Sequence, residues 1–236
     1  MMKEFILLFL KGIAMGIANV IPGVSGGTIA LITNIYEKLI LSLKSFNLKA
    51  VNLILRGNIK EFIIHTDFYF LLAVFSGSIF SVFSIANLFK YLFDHHPVLI
   101  WSFFFGLILA SIYYIGKRVN KWNINNTLIL ITGTIVATGI SFLEPANENS
   151  NLFFVFICGF LGIIGMILPG LSGSFILILL GNYQLLLVTA IIEFNYTLLT
   201  FFVLGSIAGL IGFSHIIAWL LNKYKNQTLA ALTGFV

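Results

Sequence analysis

The sequence predicts an all-α polytopic membrane protein, built as an inverted-topology repeat around two proline- and glycine-broken, re-entrant helical hairpins. Three observations carry this. The 236 residues are 59% hydrophobic and only 9% charged, with mean hydropathy +1.06, whereas a soluble domain is about a quarter charged. The segment Pro22-Gly23-Val24-Ser25-Gly26-Gly27-Thr28 returns as Pro169-Gly170-Leu171-Ser172-Gly173-Ser174, and both copies interrupt long apolar stretches. An odd number of apolar crossings lies between the two copies, so the second pair enters from the opposite face.

The apolar segments run over 5–21, 26–43, 68–93, 98–116, 127–143, 152–168, 174–193, 198–221 and from 229 onward. A run of about 20 such residues spans the hydrocarbon core. The first repeat is expected over 1–126, with a hairpin at 5–43 and spans at 68–93 and 98–116. A linking span follows at 127–143. The second repeat covers 144–236, with a hairpin at 152–193, a span at 198–221 and an incomplete last span from 229. Gly12, Ile29 and Tyr36 match Gly159, Ile176 and Tyr183 at the motif's own offset of 147, and Gly77-Ser78-Ile79 matches Gly205-Ser206-Ile207 at 128. The offset falls because the first half has a longer loop near 44–67. There Leu48, Val51, Leu55 and Ile59 recur at helical spacing, either as an interfacial helix or as a solvated connector. Val236 corresponds to Ile108, midway through a span, so a truncated or short final helix is expected.

Charge sets the orientation. With the N-terminus inside, every basic residue except Lys90 falls on the inner side, while Asp94, Glu144, Glu148 and Glu193 fall outside, as the positive-inside rule requires. The net charge of +5 is thereby explained by topology, and no nucleic-acid partner is expected. No cleavable signal peptide is expected either, because Met1 to Leu10 runs straight into an apolar segment. Cys158 lies in an apolar run and reads as packing. Asp94, His95 and His96 have no third ligand nearby, so no metal site or cofactor is expected. His65 and His215 are isolated. GVSGG resembles a nucleophile elbow but lacks the strand–turn–helix setting that motif needs.

The broken hairpins are the candidate site. Proline and glycine free backbone groups that lipid tolerates only against protein or a water-filled cavity. Paired breaks in two halves point to a transporter site. Amides ahead of a helix, with hydroxyls, suit an anion. The candidate binding residues are therefore Asn19, Pro22, Gly23, Ser25, Gly26, Gly27 and Thr28 in the first copy, with Pro169, Gly170, Ser172, Gly173 and Ser174 in the second. The competing structural reading is close helix packing by small residues. Asn19 could bond a freed carbonyl or a ligand. Glu37 is a candidate for proton or sodium coupling, against a plain interfacial ion pair; the second copy has Gln184 there. Lys117 and Arg118 are topology anchors that could also receive a lipid headgroup.

The segments GIAMGIANVIPGVSGGTIALITNIYE (Gly12 to Glu37), FFFGLILAS (Phe103 to Ser111), GMILPGLSGSFILILLGNY (Gly165 to Tyr183) and TLAALTGF (Thr228 to Phe235) resemble the PopT-like polyprenyl-phosphate transporters, formerly a membrane domain of unknown function. Members often carry Asp where Asn19 stands and Gly where Asn34 stands, and tend to extend past Val236. The resemblance implies a translocase, not an enzyme, that returns undecaprenyl phosphate from the outer to the inner leaflet of the bacterial cytoplasmic membrane for peptidoglycan and other envelope polymers. The membrane lipid is the implied partner, and the oligomeric state is open, a homodimer included. A transporter of a small soluble anion, an intramembrane lipid phosphatase and a non-transporting scaffold are the competing readings. A lateral opening to lipid separates the first of these from a lipid carrier.

Overall fold

The computed structural model describes residues 2–20 and 25–236, and among these every regular element is helical. The first half comprises α1 (Met2–Val20), the short α2 (Gly26–Ile32) and α3 (Tyr36–Lys44), the connectors α4 (Leu48–Leu55) and α5 (Ile59–His65), and the long α6 (Phe68–His95) and α7 (Pro97–Gly116). Then come α8 (Ile124–Ser141), α9 (Leu152–Ile167), the short α10 (Gly173–Leu179), a π-helical turn (Leu185–Thr189) leading into α11 (Ala190–Ile192), α12 (Tyr196–Lys223) and α13 (Lys225–Phe235).

Polar residues between the apolar runs start these helices. Asn47, Asn123, Asn151 and Asn195 accept first-turn amides of α4, α8, α9 and α12, and Pro97 opens α7, where its missing N–H has no cost. The apolar runs expected at 26–43 and 174–193 are each broken. Asn34 (φ 62°) and Gly181 (φ 73°) adopt left-handed backbone, which ends α2 and α10 after seven residues. Such a helix is roughly 10 Å long, a third of the hydrocarbon core. Among the described residues, α7, α8 and α12 are long and apolar enough to cross a membrane, and a fourth span results if α5 and the first part of α6, bent by 68°, count as one. In the 44–67 loop, Leu48, Val51, Leu55 and Ile59 are all exposed, leaving an apolar face with no protein against it.

The element boundaries recur. α2 and α10 start 147 residues apart; α6 and α12, and likewise α7 and α13, start 128 apart. So do the packing contacts. α1 packs on α6, and α9 on α12. A Cβ on Gly12 would fall on the Val74 carbonyl, and one on Gly77 on the Phe9 carbonyl; in the second half Gly159 meets Phe202 and Gly205 meets Phe156 in the same way. Bare glycine brings the backbones into contact where burial of apolar surface supplies no drive. One layer along, the volumes trade places: Gly16 faces Ser81 in the first pair, and Gly209 faces Ile163 in the second.

The larger buried cluster joins the two halves. Tyr36, Leu39 and Ile40 of α3 lie with Phe104 and Ile115 of α7, Ile217 and Leu221 of α12, and Leu229 of α13. A smaller cluster, Val155, Cys158, Leu177 and Leu186, sits behind α10.

Candidate functional site

At the first break, Pro22 and Gly23 lie outside the described residues. The remaining groups are consumed by internal bonds. Asn19 Oδ1 accepts the Gly26 amide (2.7 Å), capping the freed backbone with a side chain from the end of α1. Ser25 is the N-cap of α2 and accepts the Thr28 amide (3.2 Å). Ser25 Oγ also donates to the Leu168 carbonyl (3.1 Å). A hydroxyl has one proton, so in the Ser25–Thr28 pair (3.1 Å) it is Thr28 that donates. Thr28 Oγ1 in turn accepts the Gly170 amide (3.1 Å). The result is a directed chain, Gly170 N–H to Thr28 to Ser25 to Leu168 C=O, tying the first break to the second. Gly27 lies against the Ile167 carbonyl with no room for a Cβ. Ser25, Gly26, Gly27 and Thr28 are all buried.

The second break is built alike but left open. Pro169 is buried and ends the ladder of α9. Gly170, at φ 85°, also passes so close to the Phe235 carbonyl that a Cβ would overlap it. Gly173 approaches the Gly162 carbonyl of α9. Ser172 caps α10 by accepting the Phe175 amide (3.1 Å) and pairs with Ser174 (3.0 Å). One hydroxyl of this pair donates to the other, which leaves one proton for a ligand. Both side chains, with Gly170 and Asn19, line a cleft of about 740 Å³ bounded by α8, α10 and α13.

Among the described residues no charged side chain lines this cleft; their polar side chains are hydroxyls and one amide, set among Leu130, Phe175, Ile178 and Phe235. Five of the hydroxyls, those of Thr134, Thr138, Ser141, Tyr183 and Thr233, were missed in the sequence. Thr134, Thr138 and Ser141 fall on one face of α8 at helical spacing and line the cleft; that spacing within 127–143 was the available signal. Tyr183 lines it too, and its partner at the 147 offset is Tyr36. Tyr36 is 1% exposed and its hydroxyl has no hydrogen-bond partner among the described residues, a situation that costs about 1–3 kcal/mol. The cleft is open along one flank: α8 packs on α13 and has no comparable contact with α9 or α10 among the described residues.

The charged candidates lie elsewhere. Glu37 forms an exposed ion pair with Lys225 at the start of α13 (2.6 Å), outside the cleft. Arg118 donates to the Ile32 carbonyl (3.3 Å) and to Asn34 Oδ1, and its guanidinium lies over Tyr114. Lys11 donates to the Thr33 carbonyl (2.8 Å). These two cations cap the C-terminal carbonyls of α2, where the helix dipole favours positive charge. At the equivalent end of α10 the Leu179 carbonyl accepts the neutral Ala146 amide instead (2.8 Å). Lys117 is exposed. Thus the structure brings Asn19, Gly170, Ser172 and Ser174 together, and sets Glu37, Lys117 and Arg118 apart from them.

The undecaprenyl phosphate translocase-like (VCA0040-like) family model matches residues 15–236. The chain is 41% identical over 233 residues to a polyprenyl-phosphate transporter of Vibrio cholerae, covering 99% of this chain and 75% of that one. It is 30% identical over 244 residues to a polyprenyl-phosphate transporter of Staphylococcus aureus, covering 96% and 82%. No solved structure matches. Both relatives are named as transporters and not as enzymes. With helices able to cross a membrane several times and a family match that runs nearly from end to end, the chain is a multi-pass membrane protein and belongs to the undecaprenyl phosphate translocase-like family.

Proposed function

We propose that the protein carries a polyprenyl phosphate, undecaprenyl phosphate in the first instance, from the outer to the inner leaflet of the bacterial cytoplasmic membrane, returning the carrier for peptidoglycan and other envelope polymers. The observation that carries this reading is the cleft: hydroxyl donors at one wall, apolar side chains at the others, no charged side chain among the described residues, and an open flank between α8 and α10. A phosphate ester headgroup would take the free proton of the Ser172–Ser174 pair, the Thr138 and Tyr183 hydroxyls and the Asn19 amide, while the prenyl chain leaves through the flank into lipid. A free phosphate carries a comparable charge and would leave the apolar side chains of the cleft without a partner.

In this reading the two halves are an inverted repeat, the two breaks are re-entrant tips meeting near the midplane, and the N-terminus is cytoplasmic. The Lys11 and Arg118 end of α2 then faces the cytoplasm, as the distribution of basic residues favours, and the cleft opens outward. Transport proceeds by rocking of one half against the other around the meeting tips. A proton or sodium gradient is the candidate driving force.

The test is native mass spectrometry of the purified protein with undecaprenyl phosphate, undecaprenol and inorganic phosphate. Selective retention of the phosphorylated lipid is expected. Retention of inorganic phosphate without the lipid would refute the proposal in favour of a small-anion transporter.

A further inference from the structure

The hairpin of α4 and α5, which joins α3 to α6, turns its apolar side chains away from the protein. α4 buries Ala50 and Leu53, while Leu48 and Leu55 on the opposite face are 88% and 80% exposed. Val51, Ile54, Ile59 and Ile64 are exposed as well. A helix on a water-soluble surface has the reverse pattern, its apolar stripe inward. The apolar face is also rimmed by charge of one sign. Lys49 and Arg56 flank it on α4 by helical spacing, and Lys60 is exposed on α5. Glu61 is the one acid within residues 44–65.

The hairpin is a fixed unit set at a defined angle. Gly57, at φ 72°, makes the turn between its helices. The Phe62 ring meets Phe46 edge-on and lies beside Phe68, and His65 Nε2 donates to Asn47 Oδ1 (3.4 Å). α5 makes 68° with the first part of α6. With α6 crossing the bilayer, α5 lies nearer the membrane plane than the membrane normal.

The height of the hairpin follows from contacts around α2 and α3. Lys38 pairs with Asp67, just ahead of α6 (3.5 Å). Glu37 pairs with Lys225, just beyond α12 (2.6 Å). Arg118, just beyond α7, donates to the Ile32 carbonyl (3.3 Å). The start of α6 and the ends of α7 and α12 therefore share one level. Tyr69, Tyr113 and Trp219 stand exposed close to those ends, and Lys223 lies over the Trp219 ring. Such aromatic side chains mark the boundary between hydrocarbon and headgroups. The hairpin returns to the protein at this level, through Asp67.

We propose that the α4–α5 hairpin docks on the anionic phospholipids of the leaflet on this side, with Leu48, Val51 and Leu55 in the acyl boundary and Lys49, Arg56 and Lys60 among the headgroups. The charge selects the partner: basic side chains around an apolar face complement an anionic lipid surface. The docking surface lies apart from the cleft and does not depend on the prenyl-phosphate reading.

The experiment places a nitroxide on Leu48→Cys and, separately, on Leu55→Cys, in the whole chain on a Cys158→Ala background. Both positions project from the fold, so neither label disturbs packing. The protein is reconstituted in phosphatidylcholine vesicles with or without phosphatidylglycerol. Collisions with oxygen report hydrocarbon, and collisions with a nickel chelate report water. With phosphatidylglycerol, oxygen is expected to relax both labels more than the chelate does. Phosphatidylcholine alone, or high salt, is expected to reverse that order. Arg56→Gln should lower the ratio of immersed to free label about fivefold, the weight of one cation at an anionic surface (about 1 kcal/mol). Labels that stay open to the chelate in both lipids overturn the proposal in favour of a solvated connector. Equal immersion in both lipids overturns the anionic partner. Shielding from oxygen and chelate alike overturns it in favour of a protein cover.

Discussion

Ser25 and Ser172 occupy the same place in the two motifs, yet alanine at each has a different consequence. Ser25→Ala removes the acceptor for the Thr28 amide, a cap worth about 1 kcal/mol. It also leaves the Leu168 carbonyl without its donor and the buried Thr28 hydroxyl without its acceptor, each about 1 kcal/mol. The sum is about 3 kcal/mol. Ser172→Ala loses the cap to Phe175, again about 1 kcal/mol, but Ser174 stays in contact with the open cleft, where water replaces the lost partner. For a chain of this size the expected fall in melting temperature is about 6–12 °C for Ser25→Ala and about 2–4 °C for Ser172→Ala. The assay is thermal unfolding in lipid nanodiscs followed by tryptophan fluorescence, paired with retention of undecaprenyl phosphate in native mass spectrometry. Ser172→Ala should lose most of its lipid retention at temperatures where it is folded. Equal melting temperatures for the two variants would refute the directed hydroxyl chain and with it the claim that the first break is structurally clasped.

Gly159→Ala drives a Cβ into the Phe202 carbonyl, whereas Gly106→Ala meets nothing within 4 Å; the first should cost about 1–3 kcal/mol by overpacking and the second nothing measurable in the same unfolding assay. Tyr36→Phe removes the orphaned hydroxyl and should stabilise the protein by about 1 kcal/mol in the same unfolding assay. Asn19→Asp keeps the acceptor for the Gly26 amide but places a carboxylate on the cleft wall. Lipid retention should then fall as pH rises and the acid ionises, and recover as pH falls, whereas the Asn19 protein shows no such step in native mass spectrometry at matched pH values.

The breaks were legible because proline and glycine act locally. Pro169 and Gly170 stop a helix whatever surrounds them, and the recurrence of Ser25 and Ser172 at a fixed distance marked both. The left-handed Asn34 was less legible: asparagine tolerates that backbone, but inside an apolar run nothing distinguishes it from a polar residue facing a neighbour. Its match to Gly181 at the repeat offset was the available clue. The hydroxyl face of α8 was hidden for another reason. Thr134, Thr138 and Ser141 line a cleft only because α10 stops short and leaves a gap in front of them, which is a tertiary fact. Arg118 read as a topology anchor, and its actual partners are the carbonyls of Ile32 and the side chain of Asn34, more than 80 residues away.

What sequence similarity between the copies could not convey is their difference in hydrogen bonding. Here one copy spends its hydroxyl protons on the other copy's backbone, through Ser25 to Leu168, while the other keeps a proton free at the Ser172–Ser174 pair. The substitutions between the copies fit that division. Thr28 stands where the second copy has Phe175, and it is the Thr28 hydroxyl that accepts the Gly170 amide, a bond phenylalanine could not make. Gly27 stands where the second copy has Ser174, and no side chain fits there beside the Ile167 carbonyl. The departures from exact repetition thus fall at the residues that decide which copy is clasped. Restoring symmetry at these two positions, with Thr28→Phe and Gly27→Ser together, should abolish the clasp and lower the melting temperature in the same unfolding assay.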